Sequence, residues 1–542
     1  MSKRKYLFIT GDVVSSLGKG LTMASIALLL EKRGYKAAML KLDPYLNVDP
    51  GTMNPFEHGE VYVTDDGMET DLDLGHYFRY TNSPLSKAST ATSGQIYETV
   101  IKRERRGDYL GKTVQVIPHI TDEIKKRIVK CGETAHADIV LVEIGGTVGD
   151  IESLPFLEAI RQFRYERSQD CLNIHMTYVP YLKAAGEVKT KPTQHSVQTL
   201  RGIGILPDFI LCRCESNVSL EIKKKISLFC NVPRESVFDA IDVKTTIYEV
   251  PIMLEKQGVG KQICARLRLD DAVVDLSEWE AIVETIKKPK GSITVGIVGK
   301  YLQHKDAYKS VFEALQHGAI AAGYQLNIKT IESDKIASIE DLKGCDGFLV
   351  PGGFGERGWE GKIDAAKFCR EQKIPYFGIC LGMQVLVVEF ARNVLGLKGA
   401  NSTEMEPEAG EPVISLLTEQ EEVEEMGGTM RLGAYSCLLK KGSKVHQAYG
   451  ALKISERHRH RYEFNNRYKE IAEKHGLLLS GILESGNLCE IAEVKDHPWM
   501  VGVQFHPEFK SRPTEAHPLF RDFVQAMITA KNESSSHFLQ GQ

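Results

Sequence analysis

The stretch Thr10 to Thr22, TGDVVSSLGKGLT, determines the fold expected for the first half of the chain. It follows a short apolar run, Tyr6 to Ile9, and precedes an amphipathic run, Met23 to Arg33, which Gly34 closes. This order predicts a strand, a glycine-rich turn and a helix. In such a turn the backbone N–H groups and the helix dipole bind phosphate, and Lys19 reaches the outer phosphates. We therefore predict a nucleotide-binding loop.

The spacing of this loop departs from the pattern G-x-x-x-x-G-K-[ST]. Six residues separate its first two glycines, and Gly20 follows the lysine where a hydroxyl is expected. The hydroxyl on the metal side would come from Thr22, or from Ser15 and Ser16 within the loop. A glycine-rich turn without a ligand is the alternative, but the flanking strand and helix favour nucleotide binding.

Composition limits the fold, the partners and the location of the protein. A chain of 542 residues is too long to fold around a single hydrophobic core, so we expect two large domains. Its 42% apolar and 26% charged residues are typical of a soluble globular protein, and a net charge of −4 argues against non-specific nucleic-acid binding. The sequence has no signal-peptide pattern and no apolar run of about 18 residues, so we expect a cytoplasmic protein without membrane association. Eleven cysteines without a C-x-x-C pair indicate reduced thiols.

Further apolar runs predict the other strands of a parallel sheet, at residues 36–42, 138–144, 173–179 and 209–214. Ligands of such sheets collect at the carboxyl ends of the strands. Glu143 lies at one such end, and the acidic segment after the second strand contributes Asp71 and Asp73, which alternate along an extended segment. Carboxylate oxygens suit Mg²⁺ that is held partly by nucleotide phosphates, so we predict a magnesium site here. A solvated acidic surface is the alternative.

Polar segments at two strand ends predict a second ligand site. Asp150 and Glu152 follow the strand of Glu143, where carboxylates accept hydrogen bonds from a ribose or a base amino group. The segment KTKPTQ, residues 189–194, supplies lysines, hydroxyls and an amide suited to a triphosphate and a base. Its place in a phosphate-binding domain favours this function over an ordinary exposed loop. The basic helix of residues 221–229 follows.

The strand pattern weakens after Leu254 and resumes at Ile293. We therefore predict an α/β fold with two domains, each an open, mostly parallel sheet with helices on both faces. The predicted boundaries are residues 1–270 for the first domain, 271–291 for a linker, 292–530 for the second domain and 531–542 for a disordered tail.

The second domain contains the motif G-x-C-x-G at Gly378 to Gly382, between a predicted strand and a predicted helix. This is the nucleophile elbow of hydrolases with Cys380 in place of serine. His506 and Glu508 follow another predicted strand and provide a base and the carboxylate that orients it. The glycine turn Pro351 to Gly355 offers N–H groups for an oxyanion hole. Together these features predict a cysteine nucleophile rather than a structural thiol.

These motifs resemble those of two known families. Cys380 with HPE at residues 506–508 resembles the class I, triad-type glutamine amidotransferases. With SSLGKG, ETDLDLGH, VEIGGTVGDIESLPF, KTKPTQHSV and ERHRHRYE, the chain closely resembles the CTP synthase family from about residue 3 to about residue 528. The resemblance implies a ligase of pyrimidine biosynthesis with two sites. ATP would phosphorylate the 4-oxygen of UTP, and ammonia from L-glutamine would displace that phosphate to give CTP.

The resemblance also assigns residues to each site. It implies that the catalytic residues are Cys380, His506, Glu508 and Lys19. It places ATP on Ser16, Leu17, Gly18, Lys19, Gly20, Leu21, Asp73, Ile241, Asp242 and Val243. It places UTP and the inhibitor CTP on Ser15, Asp150, Ile151, Glu152, Lys189, Thr190, Lys191, Pro192, Thr193, Gln194 and Lys225. Glutamine would bind Gly353, Leu381, Gly382, Met383, Gln384, Glu404 and Arg461, and Mg²⁺ would bind Asp73 and Glu143.

The family resemblance further implies an allosteric enzyme and a homotetramer that can form filaments. GTP would activate it through a lid at residues 428–433, and Pro55, His58 and Val61 match positions that line an ammonia passage. One position departs from the family: Asp12 stands where a second glycine is usual. A carboxylate there should weaken nucleotide binding unless its side chain points away.

Two other functions fit parts of the sequence. Enzymes that amidate a carboxylate of a large cofactor precursor with ATP also join a phosphate-binding domain to a glutaminase, but KTKPTQ and Lys225 argue against that activity. A partitioning-type switch ATPase, or a filament-forming scaffold, would leave the catalytic set of the second domain without a role.

Overall fold

The computed structural model describes residues 4–12, 17–53, 58–184, 186–300, 305–336, 338–416 and 430–540. The chain divides into two compact units. The first holds residues 1–50 and 73–283, and the second holds residues 51–72 and 284–542. Residues 51–72 therefore fold with the second unit, whereas the sequence analysis placed them in the first domain.

The secondary structure alternates strands and helices in the first unit and becomes richer in strands toward the end of the chain. The strands, in chain order, are β1 (Lys5–Gly11), β2 (Ala37–Asp43), β3 (Tyr62–Val63), β4 (Glu69–Thr70), β5 (Thr90–Thr92), β6 (Ile139–Ile144), β7 (Cys171–Tyr178), β8 (Tyr181–Leu182), β9 (Glu187–Val188), β10 (Phe209–Cys214), β11 (Val237–Ile241), β12 (Ser292–Gly299), β13 (Gln325–Glu332), β14 (Gly347–Val350), β15 (Tyr376–Ile379), β16 (Ala400–Ser402), β17 (Glu411–Leu416), β18 (Arg431–Leu439), β19 (Lys453–His460), β20 (Tyr462–Phe464), β21 (Leu477–Leu483), β22 (Cys489–Val494) and β23 (Met500–Val503). The α-helices are α1 (Lys19–Glu31), α2 (Asp73–Tyr80), α3 (Ser93–Arg105), α4 (Thr121–Thr134), α5 (Leu154–Glu166), α6 (Lys191–Gly202), α7 (Leu220–Cys230), α8 (Val250–Lys256), α9 (Val259–Leu267), α10 (Ser277–Lys287), α11 (Lys309–Ala322), α12 (Trp359–Gln372), α13 (Leu381–Asn393), α14 (Lys444–Tyr449), α15 (Lys469–Lys474) and α16 (Pro518–Gln540).

The first unit is built on a seven-stranded sheet in the order β11-β10-β7-β1-β6-β2-β5. Every pairing in this sheet is parallel, which confirms the predicted α/β architecture. Strands β2 and β6 are buried at every position, as expected for strands that helices cover on both faces. The register sets Lys41 of β2 and Ile9 of β1 on either side of Glu143. The ends of these strands therefore bring the glycine-rich turn, a lysine and a carboxylate together.

Helix α1 begins earlier than predicted, at Lys19 itself. Gly18 precedes it with φ 83°, a left-handed conformation that glycine adopts at little cost. The run expected to be amphipathic is buried on all sides, from Thr22 to Leu30, because helices of the same unit cover the face that the sequence analysis assigned to solvent.

The second unit contains a nine-stranded sheet in the order β13-β12-β14-β15-β23-β22-β21-β18-β19. The pairings from β13 to β23 are parallel, and those from β23 to β19 are antiparallel. The prediction of a mostly parallel sheet therefore holds for only half of it. Strands β21, β22 and β23 follow one another through connections too short for a crossover helix, so they pair antiparallel.

Residues 51–72 join the second unit through charged side chains. The Nε atom of Arg457 donates to Asp65 at 2.6 Å, and the Nε atom of Arg459 donates to Glu69 at 2.6 Å. Both arginines lie on β19, within the motif ERHRHRYE. The motif therefore holds a segment that is nearly four hundred residues away in sequence.

The last helix, α16, extends to Gln540. The tail from Lys531 was predicted to be disordered, yet it is helical up to that residue. Neither proline nor glycine interrupts residues 519–540, so backbone hydrogen bonding can continue along the helix.

Candidate active sites

Cys380 lies in the sharp turn between β15 and α13. Its φ and ψ are 52° and −103°, an unusual conformation for a residue with a side chain. A Cβ atom at Gly378 would overlap the carbonyl oxygen of Gly382, and a Cβ atom at Gly382 would overlap the carbonyl oxygen of Val350. Glycine is therefore required at both ends of the elbow, and the predicted turn is present.

His506 and Glu508 lie beside this turn because β15 and β23 pair in parallel. The Nδ1 atom of His506 lies 2.7 Å from Oε1 of Glu508. Burial by itself lowers the pKa of His506, but the Glu508 carboxylate and the Cys380 thiol raise the pKa to about 10. A Cβ atom at Gly352 would lie 2.9 Å from Cε1 of His506 and 3.5 Å from Cβ of Cys380. The structure thus brings Cys380, His506, Glu508 and the glycine turn together.

A cavity of about 210 Å³ opens onto these groups. It is lined by Cys380, His506 and Gly353 and, from residues 51–72, by Glu60 and Val61. Val61 is one of the positions that the resemblance assigned to an ammonia passage, and Pro55 lies outside the described residues. The cavity therefore connects the thiol to the segment that contains Val61.

The residues expected to bind glutamine surround the elbow. Oε1 of Glu404 accepts a hydrogen bond from the N–H of Gly355 at 2.7 Å. Burial raises the pKa of Glu404, although Gly355, Lys300 and Arg461 oppose that rise. A Cβ atom at Gly353 would lie 3.6 Å from the Leu381 side chain. Gly382, Met383 and Gln384 follow, buried, in the first turn of α13.

The predicted lid of residues 428–433 is described only from Met430 onward. Arg431 donates to Glu463 at 2.6 Å and to Glu490 at 2.9 Å, and its side chain lies over the ring of Tyr435. A Cβ atom at Gly433 would lie 2.7 Å from the backbone nitrogen of Gly67. The described part of the segment is therefore anchored.

Lys19 occupies the first position of α1, where the glycine-rich turn ends. Its Nζ atom donates to the carbonyl oxygen of Gly146. Burial lowers the pKa of Lys19, while Glu143 raises it. Leu17, Gly18, Gly20 and Leu21 flank the lysine as predicted, and Ser15 and Ser16 lie outside the described residues.

The predicted metal ligands Asp73 and Glu143 meet at Lys41. Its Nζ atom lies 2.9 Å from Oε1 of Glu143 and also contacts Oδ2 of Asp73. Burial raises the pKa of Glu143; burial also opposes ionisation of Asp73, but Lys41 and Lys19 keep the pKa of Asp73 below its usual value. Asp73 begins α2 and does not lie on an extended segment, and Asp71 belongs to the second unit, so the predicted alternation is wrong.

The acidic pair offers the hard oxygen donors that Mg²⁺ prefers. Asp43 lies nearby, with its Oδ1 atom 3.9 Å from Nζ of Lys41. Among the residues that the structure describes, no group of three or more acidic, histidine or cysteine side chains forms a metal cage. The donor set therefore fits an ion that takes its remaining ligands from phosphate and water rather than from the protein.

The segment KTKPTQ enters helix α6, with its lysines at the start. Lys189 pairs with Glu187, and Lys225 lies close enough to act on the same carboxylate, since both lysines lower the pKa of Glu187. Thr193 hydrogen-bonds within the protein, to Thr177 and to the carbonyl of Tyr178, each at 3.3 Å.

Three more members of the predicted UTP set, Thr190, Lys191 and Gln194, also have contacts within the first unit. Gln194 donates to Thr190 at 3.0 Å, Lys191 lies over the ring of Phe229 at 5.8 Å, and Pro192 occupies the first turn of α6. Lys189 and Lys225 thus both lie near the carboxylate of Glu187.

The remaining predicted nucleotide contacts lie at strand ends of the same sheet. Asp150 accepts from the N–H and the hydroxyl of Thr147 at 3.1 and 2.6 Å, and Ile151 and Glu152 are exposed beside it. Ile241 is the last residue of β11, and Asp242 and Val243 follow it; Asp242 pairs with Arg213. A Cβ atom at Gly18 would lie 3.7 Å from Nη1 of the same arginine, so this segment lies near the phosphate loop.

Sequence reasoning did not assign several residues that the structure places in these sites. Lys41, Arg213 and Glu187 each form an ion pair with a residue that was predicted to bind nucleotide or metal. Lys300 donates to the carbonyl of Gly355, in the glycine turn, at 2.9 Å. The sequence places Lys41 near the end of a predicted strand, but it does not show that Lys41 pairs with Asp73 and Glu143. No signal in the sequence singled out the other three residues.

Comparisons with known proteins agree with this description. Two family models match the chain, CTP synthase N-terminus over residues 5–269 and Glutamine amidotransferase class-I over residues 303–526. The CTP synthase of Protochlamydia amoebophila (strain UWE25) is 71% identical over 530 residues, which are 97% of this chain and 98% of that protein. The CTP synthase of Chlamydia felis (strain Fe/C-56) is 62% identical over 98% of this chain and 99% of that protein.

Among solved structures, the Trypanosoma brucei CTPS glutaminase domain with bound acivicin is similar, with 38% identity and a TM-score of 0.42. The similarity covers 44% of this chain and 94% of that chain.

The fold and the two family models define a class I glutamine amidotransferase domain joined in one chain to a ligase domain. The two relatives named above are 71% and 62% identical over 97% and 98% of this chain, so the chain belongs to the CTP synthase family. It is a glutamine-hydrolysing ligase that makes CTP from UTP. No helix among its described residues has both the length and the apolar character needed to span a bilayer.

Proposed function

We propose that the enzyme uses ATP and Mg²⁺ to phosphorylate the 4-oxygen of UTP, and that ammonia released at Cys380 then displaces this phosphate. The observation that carries the proposal is the separation of two chemically complete sets of residues. One unit contains the elbow with Cys380 and His506, and the other contains the phosphate loop with Lys19 and an acidic pair.

In the glutaminase site, His506 holds the proton of the Cys380 thiol, and the sulfur attacks the side-chain amide carbon of glutamine as a thiolate. The N–H groups of the turn at Gly352 and Gly353 bind the oxyanion of the tetrahedral intermediate. His506 returns its proton to the leaving nitrogen, so ammonia departs and a thioester remains. Water then hydrolyses the thioester to glutamate. Glu508, 2.7 Å from His506, keeps the imidazole oriented throughout.

In the synthetase site, Lys19 would neutralise charge on the phosphoryl group in transfer. Lys41 separates the two carboxylates in this structure and keeps Asp73 ionised. Asp73 and Glu143 would hold Mg²⁺, which, when bound, would draw charge from the phosphate oxygens. Arg213 links the Asp242 segment to the phosphate loop, which supports an adenine position at Ile241 to Val243.

UTP and CTP would share the remaining contacts. Both carry a triphosphate, for which Lys189 and Lys225 around Glu187 provide the cations. Asp150 to Glu152 would meet the base, and Thr190 to Gln194 would shape the pocket. CTP would therefore inhibit by competition, and GTP would activate through the segment that contains Arg431.

We further propose a cytoplasmic enzyme, because all eleven cysteines are free thiols, as in a reducing compartment. The family resemblance supports a homotetramer that can form filaments. Sedimentation of the purified chain with and without nucleotide measures the assembly state.

Product analysis tests the proposed function. The enzyme is incubated with UTP, ATP, Mg²⁺ and glutamine, and then with each component omitted in turn. CTP, ADP, phosphate and glutamate should form in equal amounts only in the complete mixture. CTP formation without ATP would overturn the proposal.

A further inference from the structure

Gln504 lies directly beside the proposed nucleophile but has no role in the mechanism above. It is fully buried between β23 and His506. Its Nε2 atom lies 3.7 Å from Sγ of Cys380, and its Oε1 atom lies 3.4 Å from Nε2 of Gln384. The side chain therefore connects the thiol to a residue expected to bind glutamine.

The hydrogen bonds around Gln384 determine which way the Gln504 amide faces. The oxygen and nitrogen of an amide have similar shapes, so their positions follow from their partners. Nε2 of Gln384 lies 3.2 Å from the carbonyl oxygen of Tyr462, which can only accept a hydrogen bond. The Gln384 atom is therefore a nitrogen, and it donates to the oxygen of Gln504. The remaining atom of the Gln504 amide, its N–H₂ group, must face the sulfur.

The sulfur has a second neighbour of opposite character. Sγ of Cys380 lies 3.8 Å from the carbonyl oxygen of Arg459, which can accept a hydrogen bond from the protonated thiol. The N–H₂ group of Gln504 can donate a hydrogen bond to the sulfur but cannot accept one, and such a bond strengthens when the sulfur is negative. The Arg459 carbonyl can therefore bond only the protonated thiol, whereas Gln504 can donate to the sulfur in either protonation state.

We propose that Gln504 is a positioning residue that stabilises and aims the Cys380 thiolate. This inference rests on the proposed role of Cys380 as the nucleophile. When His506 takes the thiol proton, Sγ loses its donor bond to Arg459 and keeps the bond from Gln504. The sulfur is then held in place for attack on the amide carbon. Gln504 itself gains and loses no proton.

Two substitutions remove the donor while keeping the length of the side chain. Gln504→Glu retains an oxygen for Gln384 but directs a carboxylate oxygen at the sulfur. Gln504→Met removes both polar atoms, and Gln384 keeps its bond to Tyr462. Gln447→Met makes the same chemical change at an exposed position and serves as the matched control.

The decisive measurement is the rate of iodoacetamide alkylation at Cys380 as a function of pH, with the modified peptide located by mass spectrometry. In both Gln504 variants the midpoint of the profile should move to higher pH, more so in Gln504→Glu. Alkylation at neutral pH and kcat with glutamine should fall about tenfold to a hundredfold, the range for one hydrogen bond to a charged group. Ammonia-dependent CTP synthesis and the Gln447→Met profile should not change.

A purely structural role for Gln504 would lower the melting temperature and leave the midpoint of alkylation where it is, and that result would overturn the inference. If Gln504→Glu does not fold, Gln504→Met decides by the same readout. Failure of the proposed function looks different: wild-type enzyme would be alkylated elsewhere than Cys380, or Cys380→Ala would still hydrolyse glutamine.

Discussion

The carboxylate of Asp12 accepts a hydrogen bond from the backbone N–H of Tyr178, with Oδ2 and N 3.0 Å apart. Asp12 directly follows β1 and is fully buried, and Tyr178 is the last residue of the neighbouring strand β7. The side chain therefore fastens the ends of two strands that flank the phosphate loop. Because this hydrogen bond holds the carboxylate against β7, the Asp12 side chain need not face the glycine-rich turn.

Asp12→Ala should therefore destabilise the first unit. The N–H of Tyr178 loses its acceptor, so the free energy of unfolding should fall by about 1–3 kcal/mol. Asp12→Asn keeps an oxygen in the same place and serves as the control. Chemical denaturation followed by circular dichroism measures the difference. Equal stability of Asp12→Ala and the wild type would show that this hydrogen bond does not contribute to the free energy of unfolding.

Asp73→Asn and Glu143→Gln should each abolish phosphoryl transfer, because each removes charge from the proposed magnesium site. We expect ammonia-dependent CTP synthesis to fall by about a hundredfold or more, the scale of losing one preorganised electrostatic contact. Titration of the rate with Mg²⁺ measures the effect, and Glu98→Gln, at an exposed ion pair with Lys102, is the control. An unchanged magnesium dependence in either variant would contradict the assignment.

Lys225→Ala should raise the UTP requirement far more than the glutamine requirement, and should weaken CTP inhibition in parallel. The neighbouring Lys224 is a matched control, since it pairs with Glu221 at 2.7 Å and is not among the residues proposed to bind UTP. Initial rates at varied UTP, with and without CTP, test both statements. Inhibition by CTP that does not depend on UTP concentration would rule out a shared site.

Glu508→Gln should destabilise the second unit in a pH-dependent way. Burial opposes protonation of His506, but Glu508 and Cys380 raise its pKa to about 10, above the unfolded value of about 6.5. Such a group contributes its full stabilisation below about pH 6.5 and loses it as the pH rises to about 10. The difference in free energy of unfolding from the wild type should therefore be larger at pH 6.5 than at pH 10.

Denaturation at both pH values checks this expectation for Glu508→Gln. Glu515→Gln, at an exposed position in the same unit, serves as the control. A loss of stability that is equal at the two pH values, or greater at pH 10, would show that the charge on His506 does not depend on Glu508.

Local patterns were sufficient to predict the parallel strands and the elbow. A strand that is buried on both faces is rich in apolar residues, and the sequence of β6, IVLVEI, has this pattern. The turn at Cys380 needs small residues within two positions, so it is visible in five letters of sequence.

Features that depend on distant partners could not be predicted. Strand β19 has the polar sequence KISERHRH, yet Glu456, Arg457 and His458 are buried. The reason is that partners elsewhere, such as Asp65 for Arg457, satisfy its charges. The contacts of Lys41 with Asp73 and Glu143, and of Gln504 with Cys380, likewise join residues that are distant in sequence. The sequence contains these residues but not the pairings that give them a role.

In the proposed function, glutamine hydrolysis and phosphoryl transfer are separate chemical steps performed by separate residues. Cys380→Ala lacks the nucleophile, so it should lose glutamine-dependent CTP synthesis completely. Ammonia supplied from solution bypasses that step, so the same variant should make CTP from ammonium at high pH at near wild-type rate. Lys19→Ala should fail with either nitrogen source, because phosphoryl transfer to UTP precedes both.

The most direct test measures CTP formation by these two variants and the wild type, with glutamine or with ammonium as the nitrogen source. Cys380→Ala should be active with ammonium only, and Lys19→Ala should be inactive with either source. If Cys380→Ala were equally inactive with ammonium, or Lys19→Ala active with it, the two-site account would be contradicted.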